Sequence, residues 1–193
     1  AREGGQRLHD IGIVGLGAGA AACYRQAGER WTFFEIDPQV VTIARDPKLF
    51  SYLSSCTQNA RVIVGDGRLE LAKVPANTYD VLVLDAYSSD QPRVHLLTRE
   101  AILLYTRDVA PHGIIAFHIS NRYFNLAPVL ASLAAATHLV AWINTDNHLT
   151  SARGARGEMG SQWVVMARAQ SDAREIVKDP RWQRLVADPK ART

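Results

Sequence analysis

Long apolar runs are missing from this sequence. No stretch approaches the ~20 consecutive apolar residues that a transmembrane helix needs, and the basic start leads into a short strand pattern rather than the apolar region of a signal peptide. We therefore expect no membrane span in this chain. The first residue is Ala1 and not Met, so we expect the chain to be a processed or shortened piece of a larger protein.

Cysteine is also scarce. Cys23 and Cys56 are the two cysteines among 193 residues, which is too few for a disulfide framework and does not match the spacing of zinc ligands. We expect both to be small buried side chains within helices. The sequence predicts no metal site, and unpaired cysteines favour a reducing, cytoplasmic location.

Charge of one sign is not concentrated anywhere. The net charge is only +3, and the basic residues that gather after Arg168 alternate with acidic ones. A nucleic-acid surface needs denser basic clusters with interleaved aromatic residues, so we predict no nucleic-acid partner. With 47% hydrophobic residues, the length suits one globular domain with a sizeable core.

The chain does contain a regular alternation of strand and helix patterns. This alternation is typical of an α/β fold with a mostly parallel sheet between two layers of helices. We predict a three-layer, Rossmann-like sheet of seven strands with only the last strand antiparallel. The predicted strands lie at 11–14, 31–36, 61–66, 79–86, 113–120, 139–145 and 162–168.

A glycine-rich loop, "VGLGAGA", follows the first predicted strand. Gly15 and Gly17 permit a tight turn and a close backbone approach, and the following helix offers free N–H groups to a ligand. Gly15, Gly17 and Ala20 also satisfy the dinucleotide fingerprint G-x-G-x-x-A. The loop therefore indicates a nucleotide site without identifying the nucleotide.

Acidic residues follow the next three predicted strands. Glu35 lies 20 residues after Gly15, where a carboxylate accepts hydrogen bonds from ribose hydroxyls. Asp66 lies at the carboxyl end of the third strand and Asp85 at that of the fourth, and Asp90 lies further along the loop after Asp85. The carboxyl ends of parallel strands meet at one edge of the sheet. We therefore expect one cleft, and an acid after the third strand favours a sulfonium nucleoside over a dinucleotide.

Several stretches of the chain together resemble the spermidine synthase family of polyamine aminopropyltransferases, within the class I S-adenosylmethionine-dependent methyltransferase fold. The resemblance covers roughly Asp10 to Ala167. It is carried by "VGLGAGA", "FFEIDPQVV", "VIVGDGRLEL", "YDVLVLDAYSSDQPRVHLLTREAI" and "GIIAFHISNRY". Accordingly, residues 1–169 are expected to form a nucleoside-binding transferase domain and residues 170–193 a helical tail.

The resemblance also implies roles for individual residues. Gly15, Gly17 and Gly19 line the tail of the nucleoside, Glu35 holds the ribose, Asp66 and Gly67 contact the adenine, and Asp85 and Asp90 are the catalytic acids. The implied co-substrate is S-adenosylmethionine or its decarboxylated form. The implied partners are a small-molecule amine and, as an option, a second copy of the chain, in a cytoplasmic pathway of polyamine biosynthesis.

The implied chemistry explains why acids are needed. An amine attacks a methylene group made electrophilic by the neighbouring sulfonium, but at neutral pH the amine is protonated and cannot attack. A carboxylate attracts the cation and accepts its proton, and the enzyme holds nitrogen and carbon in line.

Two departures from the family pattern keep other functions open. Ala18 stands where the family carries the Asp that contacts the aminopropyl amine, which favours a methyltransferase that uses intact S-adenosylmethionine. The chain starts almost at the first strand, without the family's amine-binding N-terminal segment, which favours a non-catalytic nucleoside-binding domain of a larger protein. His118 and Asn121 either face the cleft or have a structural role, and His95 is expected to be an ordinary loop residue.

Overall fold

The computed structural model describes residues 8–57, 60–86, 93–121, 123–146 and 160–188. Within these ranges the chain forms one eight-stranded sheet in the order β3-β2-β1-β4-β5-β7-β6-β8. The strands are β1 (Asp10–Val14), β2 (Arg30–Glu35), β3 (Arg61–Val64), β4 (Tyr79–Leu84), β5 (Val109–His118), β6 (Val140–Asp146), β7 (Ser161–Ala167) and β8 (Trp182–Leu185).

The predicted fold class is confirmed. Strands β1 to β5 pair in parallel, and β7 runs antiparallel to both β5 and β6. The sheet order reverses on either side of β1, so β1 and β4 lie at the point where an open α/β sheet binds its ligands.

The strand count was predicted wrongly, because an eighth strand lies in the stretch expected to be helical. Strand β8 pairs antiparallel with β6 at the edge of the sheet. Trp182 packs with Trp142 in a small core, and the Arg184 guanidinium lies 4.8 Å from the centroid of the Trp142 ring. The exposed edge of β6 thus offers both backbone hydrogen bonds and an aromatic contact, and these outweigh the weak helical pattern. Among residues 170–188, which the structure describes, α-helix is limited to Arg174–Val177, after a 3-10 turn at Gln170–Ala173.

The helices cover both faces of the sheet. Of the described residues, none belongs to a helix that is long and apolar enough to cross a membrane. The α-helices are α1 (Pro38–Arg45), α2 (Tyr52–Cys56), α3 (Gly67–Leu71), α4 (Arg99–Asp108), α5 (Ala127–Ala136) and α6 (Arg174–Val177). Shorter 3-10 turns occupy Ala20–Tyr24, Val94–Leu96 and Gln170–Ala173.

Alternate residues of the central strands enter two different cores. Ile11 and Ile13 of β1 pack with α1 and α2, whereas Val14 packs with α3, α4 and α5 on the other face. Strand β4 divides in the same way, with Leu82 and Leu84 buried among α4 and α5. Side chains of successive strand residues point to opposite faces, so these strands are held on both sides. The carboxyl ends of β1 and β4 therefore form a rigid base for a site.

The expectation of two unpaired, buried cysteines is wrong. Cys23 and Cys56 form a disulfide that joins the 3-10 turn Ala20–Tyr24 to the end of α2. The glycine loop brings the two segments together, since Leu53 of α2 packs directly against Gly19. A sequence separation of 33 residues gives no local signal for this pairing.

We expect reduction of this disulfide to destabilise the chain measurably. Closing a loop of this length removes enough unfolded-state entropy to contribute about 3–4 kcal/mol in the chain-entropy model. Urea unfolding of the oxidised chain, the reduced chain and the Cys23→Ala/Cys56→Ala double variant measures the difference. The reduced chain and the double variant should match one another, and equal midpoints for all three would contradict a bond of this kind.

Candidate active site

One cavity of about 220 Å³ lies at the carboxyl edge of the sheet, over the ends of β1, β2 and β4 and the start of α3. It brings together six of the eight residues predicted for the site. These are Gly15, Gly17, Glu35, Asp66, Gly67 and Asp85. Asp90 lies outside the described residues, and Gly19 is not among the residues that line this cavity.

The glycine loop is tied to both neighbouring strands. Gly15 donates its N–H to the Phe34 carbonyl oxygen of β2 at 2.8 Å. Its φ of +104° is one that residues with a side chain rarely adopt, and a Cβ at Gly15 would overlap the carbonyl oxygen of Asp85. Gly19 has a φ of +83° and packs against Leu53, where a Cβ would come within 2.8 Å of the leucine Cγ. Gly19 therefore shapes the contact between the loop and α2 rather than the cavity.

Glu35 fastens the loop to the end of β2 while lining the cavity. Its Oε2 accepts the N–H of Leu16 at 3.0 Å, and its Oε1 accepts the N–H of Asp37 at 3.0 Å. An ionised carboxylate has about four acceptor positions, so capacity remains for ribose hydroxyls. The same carboxylate can shape the loop and bind a ligand.

Asp66 is both a helix cap and a cavity residue. Its Oδ1 accepts the N–H groups of Arg68 and Leu69, each at 3.0 Å, and thereby caps α3. Its Oδ2 lies 3.4 Å from Nε2 of His95. Gly67 allows α3 to approach β1 closely, since a Cβ there would come within 2.5 Å of a methyl carbon of Val14. Oδ1 of Asp66 thus caps α3, whereas Oδ2 is the oxygen available to a ligand in the cavity.

Asp85 is held at the opposite side of the glycine loop. It directly follows β4, and its N–H donates to the Val14 carbonyl oxygen at 2.8 Å. Its Oδ1 lies 2.7 Å from Nδ1 of His118, the last residue of β5. The backbone of this acid is therefore fixed by β1, and its side chain by β5.

His95 lines the cavity, which the sequence did not predict. It belongs to the 3-10 turn Val94–Leu96. Two hydrogen bonds from α3 and α4 hold this turn in place. Arg68 Nη1 donates to the His95 carbonyl oxygen at 3.0 Å, and the Tyr105 hydroxyl donates to the Leu96 carbonyl oxygen at 3.3 Å. Burial raises the pKa of Tyr105, so its phenol stays protonated and remains a donor. The local sequence "PRVHLL" could not indicate this position, because the contacts that set it come from α3 and α4.

The two polar residues predicted near the end of β5, His118 and Asn121, have different positions. Asn121 accepts the N–H groups of Tyr123 and Phe124 at 2.8 Å through its side-chain oxygen, as in an Asx turn. His118 instead joins Asp85 beside the cavity. Within the described ranges, no group of three or more His, Cys, Asp or Glu side chains is arranged to hold a metal ion.

The described residues have a class I methyltransferase-like fold, and comparison with solved structures agrees with this fold. No protein-family profile matches the chain. Over 110 residues the sequence is 31% identical to the polyamine aminopropyltransferase of Vibrio vulnificus strain CMCP6, a match that spans 53% of this chain and 35% of that relative. The match thus spans about a third of the length of that relative.

Solved structures confirm the fold. A spermidine synthase in complex with the transition-state analogue AdoDATO superposes with a TM-score of 0.66 at 14% identity, over 89% of this chain and 60% of that one. Human methyltransferase-like protein 13 in complex with SAH gives a TM-score of 0.60 at 19% identity, over 88% and 79% of the two chains. The resemblance to spermidine synthases is therefore confirmed in partial sequence and in fold.

Proposed function

We propose that this chain binds a sulfonium nucleoside and transfers an aminopropyl group from it to a small amine, as a spermidine synthase-like transferase. The observation that carries the proposal is the convergence of three acids on one cavity. Glu35 and Asp66 lie on one side of the glycine loop and Asp85 on the other. This arrangement supplies contacts for a ribose and an adenine at one end and a base at the other.

The proposed reaction assigns one task to each acid. Glu35 accepts hydrogen bonds from the ribose hydroxyls, and Oδ2 of Asp66 accepts one from the adenine amino group. Asp85 accepts a proton from the amine, whose nitrogen lone pair then forms a bond to the methylene carbon next to sulfur. The carbon–sulfur bond breaks, and its electron pair stays on sulfur as a thioether. One proton is released per turnover, which is why a carboxylate is needed beside the reacting carbon.

A methyltransferase reaction with intact S-adenosylmethionine is the second candidate. Ala18, which offers no carboxylate to the aminopropyl ammonium of a decarboxylated donor, favours it. A protein with the same fold, human methyltransferase-like protein 13, was solved in complex with SAH, which supports this candidate. A non-catalytic nucleoside-binding domain is the alternative if no transfer occurs.

Calorimetry with four ligands separates these functions. We expect decarboxylated S-adenosylmethionine and methylthioadenosine to bind. If the decarboxylated donor binds more tightly than S-adenosylmethionine, the result supports the aminopropyl reaction. The reverse preference supports the methyltransferase. Binding of NAD without any sulfonium nucleoside or thioether would contradict both.

Weaker donor binding is expected when Glu35 or Asp66 loses its charge. Asp66→Asn keeps Oδ1 as the cap of α3, so it changes the contacts of the second oxygen alone. Hydrogen bonds to charged groups contribute about 1.5–3 kcal/mol, so Glu35→Gln and Asp66→Asn should each weaken methylthioadenosine binding about tenfold or more.

Asp46→Asn is the matched control for Asp66→Asn, whereas Glu35→Gln also loses one of the two N–H contacts of the Glu35 carboxylate and needs a check of folding by thermal melting. Asp46 accepts the N–H of Lys48 at 2.9 Å in a similar local turn and does not line the cavity. Affinity should be unchanged in this control. If Glu35→Gln and Asp66→Asn also bind as tightly as the wild type, these residues do not hold the nucleoside.

The location, oligomeric state and partners of the chain stay predictions. A cytoplasmic location and a homodimer are carried over from the sequence, as are a small amine as partner and the absence of nucleic acid. The disulfide between Cys23 and Cys56 removes one basis for the cytoplasmic location, because disulfides persist mainly in oxidising compartments. Mass spectrometry of alkylated protein from cells measures whether the bond exists there.

A further inference from the structure

A line of hydrogen bonds runs from the cavity along the carboxyl edge of the sheet. Asp85 Oδ1 lies 2.7 Å from His118 Nδ1, and His118 Nε2 lies 2.7 Å from Ser120 Oγ. The N–H of Gln162 donates to the same Ser120 Oγ at 2.8 Å. The line thus joins β4, the end of β5 and the start of β7, which neighbour one another in that order.

The donors and acceptors along this line fix the tautomer of His118. An ionised carboxylate only accepts hydrogen bonds, so His118 Nδ1 carries a proton and donates it to Asp85. Ser120 Oγ already accepts from Gln162, and its hydroxyl proton is available for His118 Nε2. A proton on Nδ1 of His118 therefore suits Asp85, and Nε2 is left to face Ser120. The position of this proton is assigned from the hydrogen-bond network.

Packing holds the imidazole ring in this orientation. The rings of His118 and Trp163 stack with centroids 4.7 Å apart and an interplanar angle of 20°. The register of β5 and β7 places the two residues directly opposite one another. The ring is thus fixed on one face by a neighbour and at both nitrogens by hydrogen bonds.

We propose that His118 is a positioning residue for Asp85 in the transfer reaction, an inference that rests on the proposed function. Its Nδ1–H occupies one acceptor position of Oδ1 and fixes the rotation of the carboxylate. Oδ2 and the remaining capacity of Oδ1 are left for the proton of the amine. Nδ1 of His118 already donates to Asp85 and Nε2 faces Ser120, so the proton of the amine passes to Asp85 and not to His118.

The connectivity resembles the Asp-His-Ser line of hydrolases, but its direction relative to the cavity is reversed. Asp85 lines the cavity, whereas Ser120 does not. In a hydrolase the serine must face the substrate and the acid supports the histidine from behind. The reversed order favours an acid that reacts and a histidine that supports it, and it speaks against a serine nucleophile.

Two substitutions separate positioning from packing. His118→Phe keeps a ring that can stack on Trp163 but removes both nitrogens. His118→Asn keeps a donor near the position of Nδ1. Because small misplacements of reacting groups can cost about 10²-fold in rate, we expect kcat for transfer from decarboxylated S-adenosylmethionine to putrescine to fall about 10- to 100-fold in His118→Phe. His118→Asn should recover most of it, with methylthioadenosine affinity unchanged in both variants.

A second His–Asp pair provides the matched control. His112 Nδ1 lies 2.9 Å from Asp172 Oδ1, and neither residue lines the cavity. His112→Phe should leave kcat unchanged, and thermal melting checks that all variants fold. If His118→Phe turns over with the same kcat as an active wild type, the positioning role is overturned and the proposed function stays intact. Absence of turnover in the wild type would instead contradict the proposed function and, with it, the catalytic consequence for His118.

The pairing is also measurable without turnover. In ¹⁵N-histidine NMR spectra, assigned with His118→Asn, we expect the His118 ring to carry a proton on Nδ1. Asp85→Ala should change this ¹⁵N pattern, because the acceptor of that proton is removed. A ring protonated on Nε2 alone, or a spectrum unaffected by Asp85→Ala, would overturn the proposal.

Discussion

Replacing Gly15 with alanine should abolish binding of the donor nucleoside. A Cβ at this position would overlap the carbonyl oxygen of Asp85 and lie 2.8 Å from its carbonyl carbon. The φ of +104° adds strain of about 1–3 kcal/mol for a residue with a side chain. Relief of the overlap moves either the glycine loop or Asp85, and both line the cavity. We expect methylthioadenosine affinity to fall more than 10²-fold in calorimetry, since each factor of ten corresponds to about 1.4 kcal/mol.

Gly28→Ala is the matched control for backbone strain. Gly28 also has a positive φ, of 90°, but it lies in an exposed turn outside the cavity. Both variants should lose some thermal stability from the strained backbone. Only Gly15→Ala should lose donor affinity, and a Gly15→Ala chain that binds within a few-fold of the wild type would show that the close approach to Asp85 is unimportant.

The predictable part of the site depends on short-range patterns. The acids Glu35, Asp66 and Asp85 each follow an apolar run, so their positions at strand ends are encoded within a few residues of sequence. In a parallel sheet the carboxyl ends of the strands lie on the same side, and this does not depend on how individual side chains pack. For this reason the cavity could be predicted without knowing which side chains contact one another.

The unpredicted part depends on contacts between distant segments. The pairing of His118 with Asp85 requires the register of β4 and β5, and the stacking on Trp163 requires the register of β5 and β7. The position of His95 is set by Arg68 and Tyr105 from two other helices. The disulfide likewise forms because α2 packs against the turn after the glycine loop. None of these contacts leaves a periodic pattern in the sequence.

Asp85 connects the two halves of this edge of the sheet. Its N–H and carbonyl oxygen contact β1 and the glycine loop, where the donor is proposed to bind. Its carboxylate contacts His118 on β5, away from the glycine loop. A change at Gly15 therefore acts directly on the backbone of the proposed base.

The substitution Asp85→Asn should separate chemistry from binding. Asparagine keeps the shape of the side chain, and its carbonyl oxygen can still accept the N–H of His118. It loses the negative charge that attracts a cationic amine and the basicity that removes the amine proton. We expect methylthioadenosine affinity to be retained, while transfer to putrescine or a related amine falls about 10²-fold or more, as is usual on loss of a general base.

Asp80→Asn provides the matched control, because Asp80 lies near the amino end of β4, whereas Asp85 follows its carboxyl end. Its Oδ2 accepts the N–H groups of His9 and Asp10, and it does not line the cavity. Transfer should be unaffected by this change once folding is verified. If Asp85→Asn transfers as fast as the wild type, the base lies elsewhere in the chain. If donor affinity falls together with transfer, Asp85 contributes to nucleoside binding instead. A wild-type chain that transfers nothing to a panel of polyamines, from either donor, would make Asp85 a structural acid and favour the non-catalytic nucleoside-binding domain.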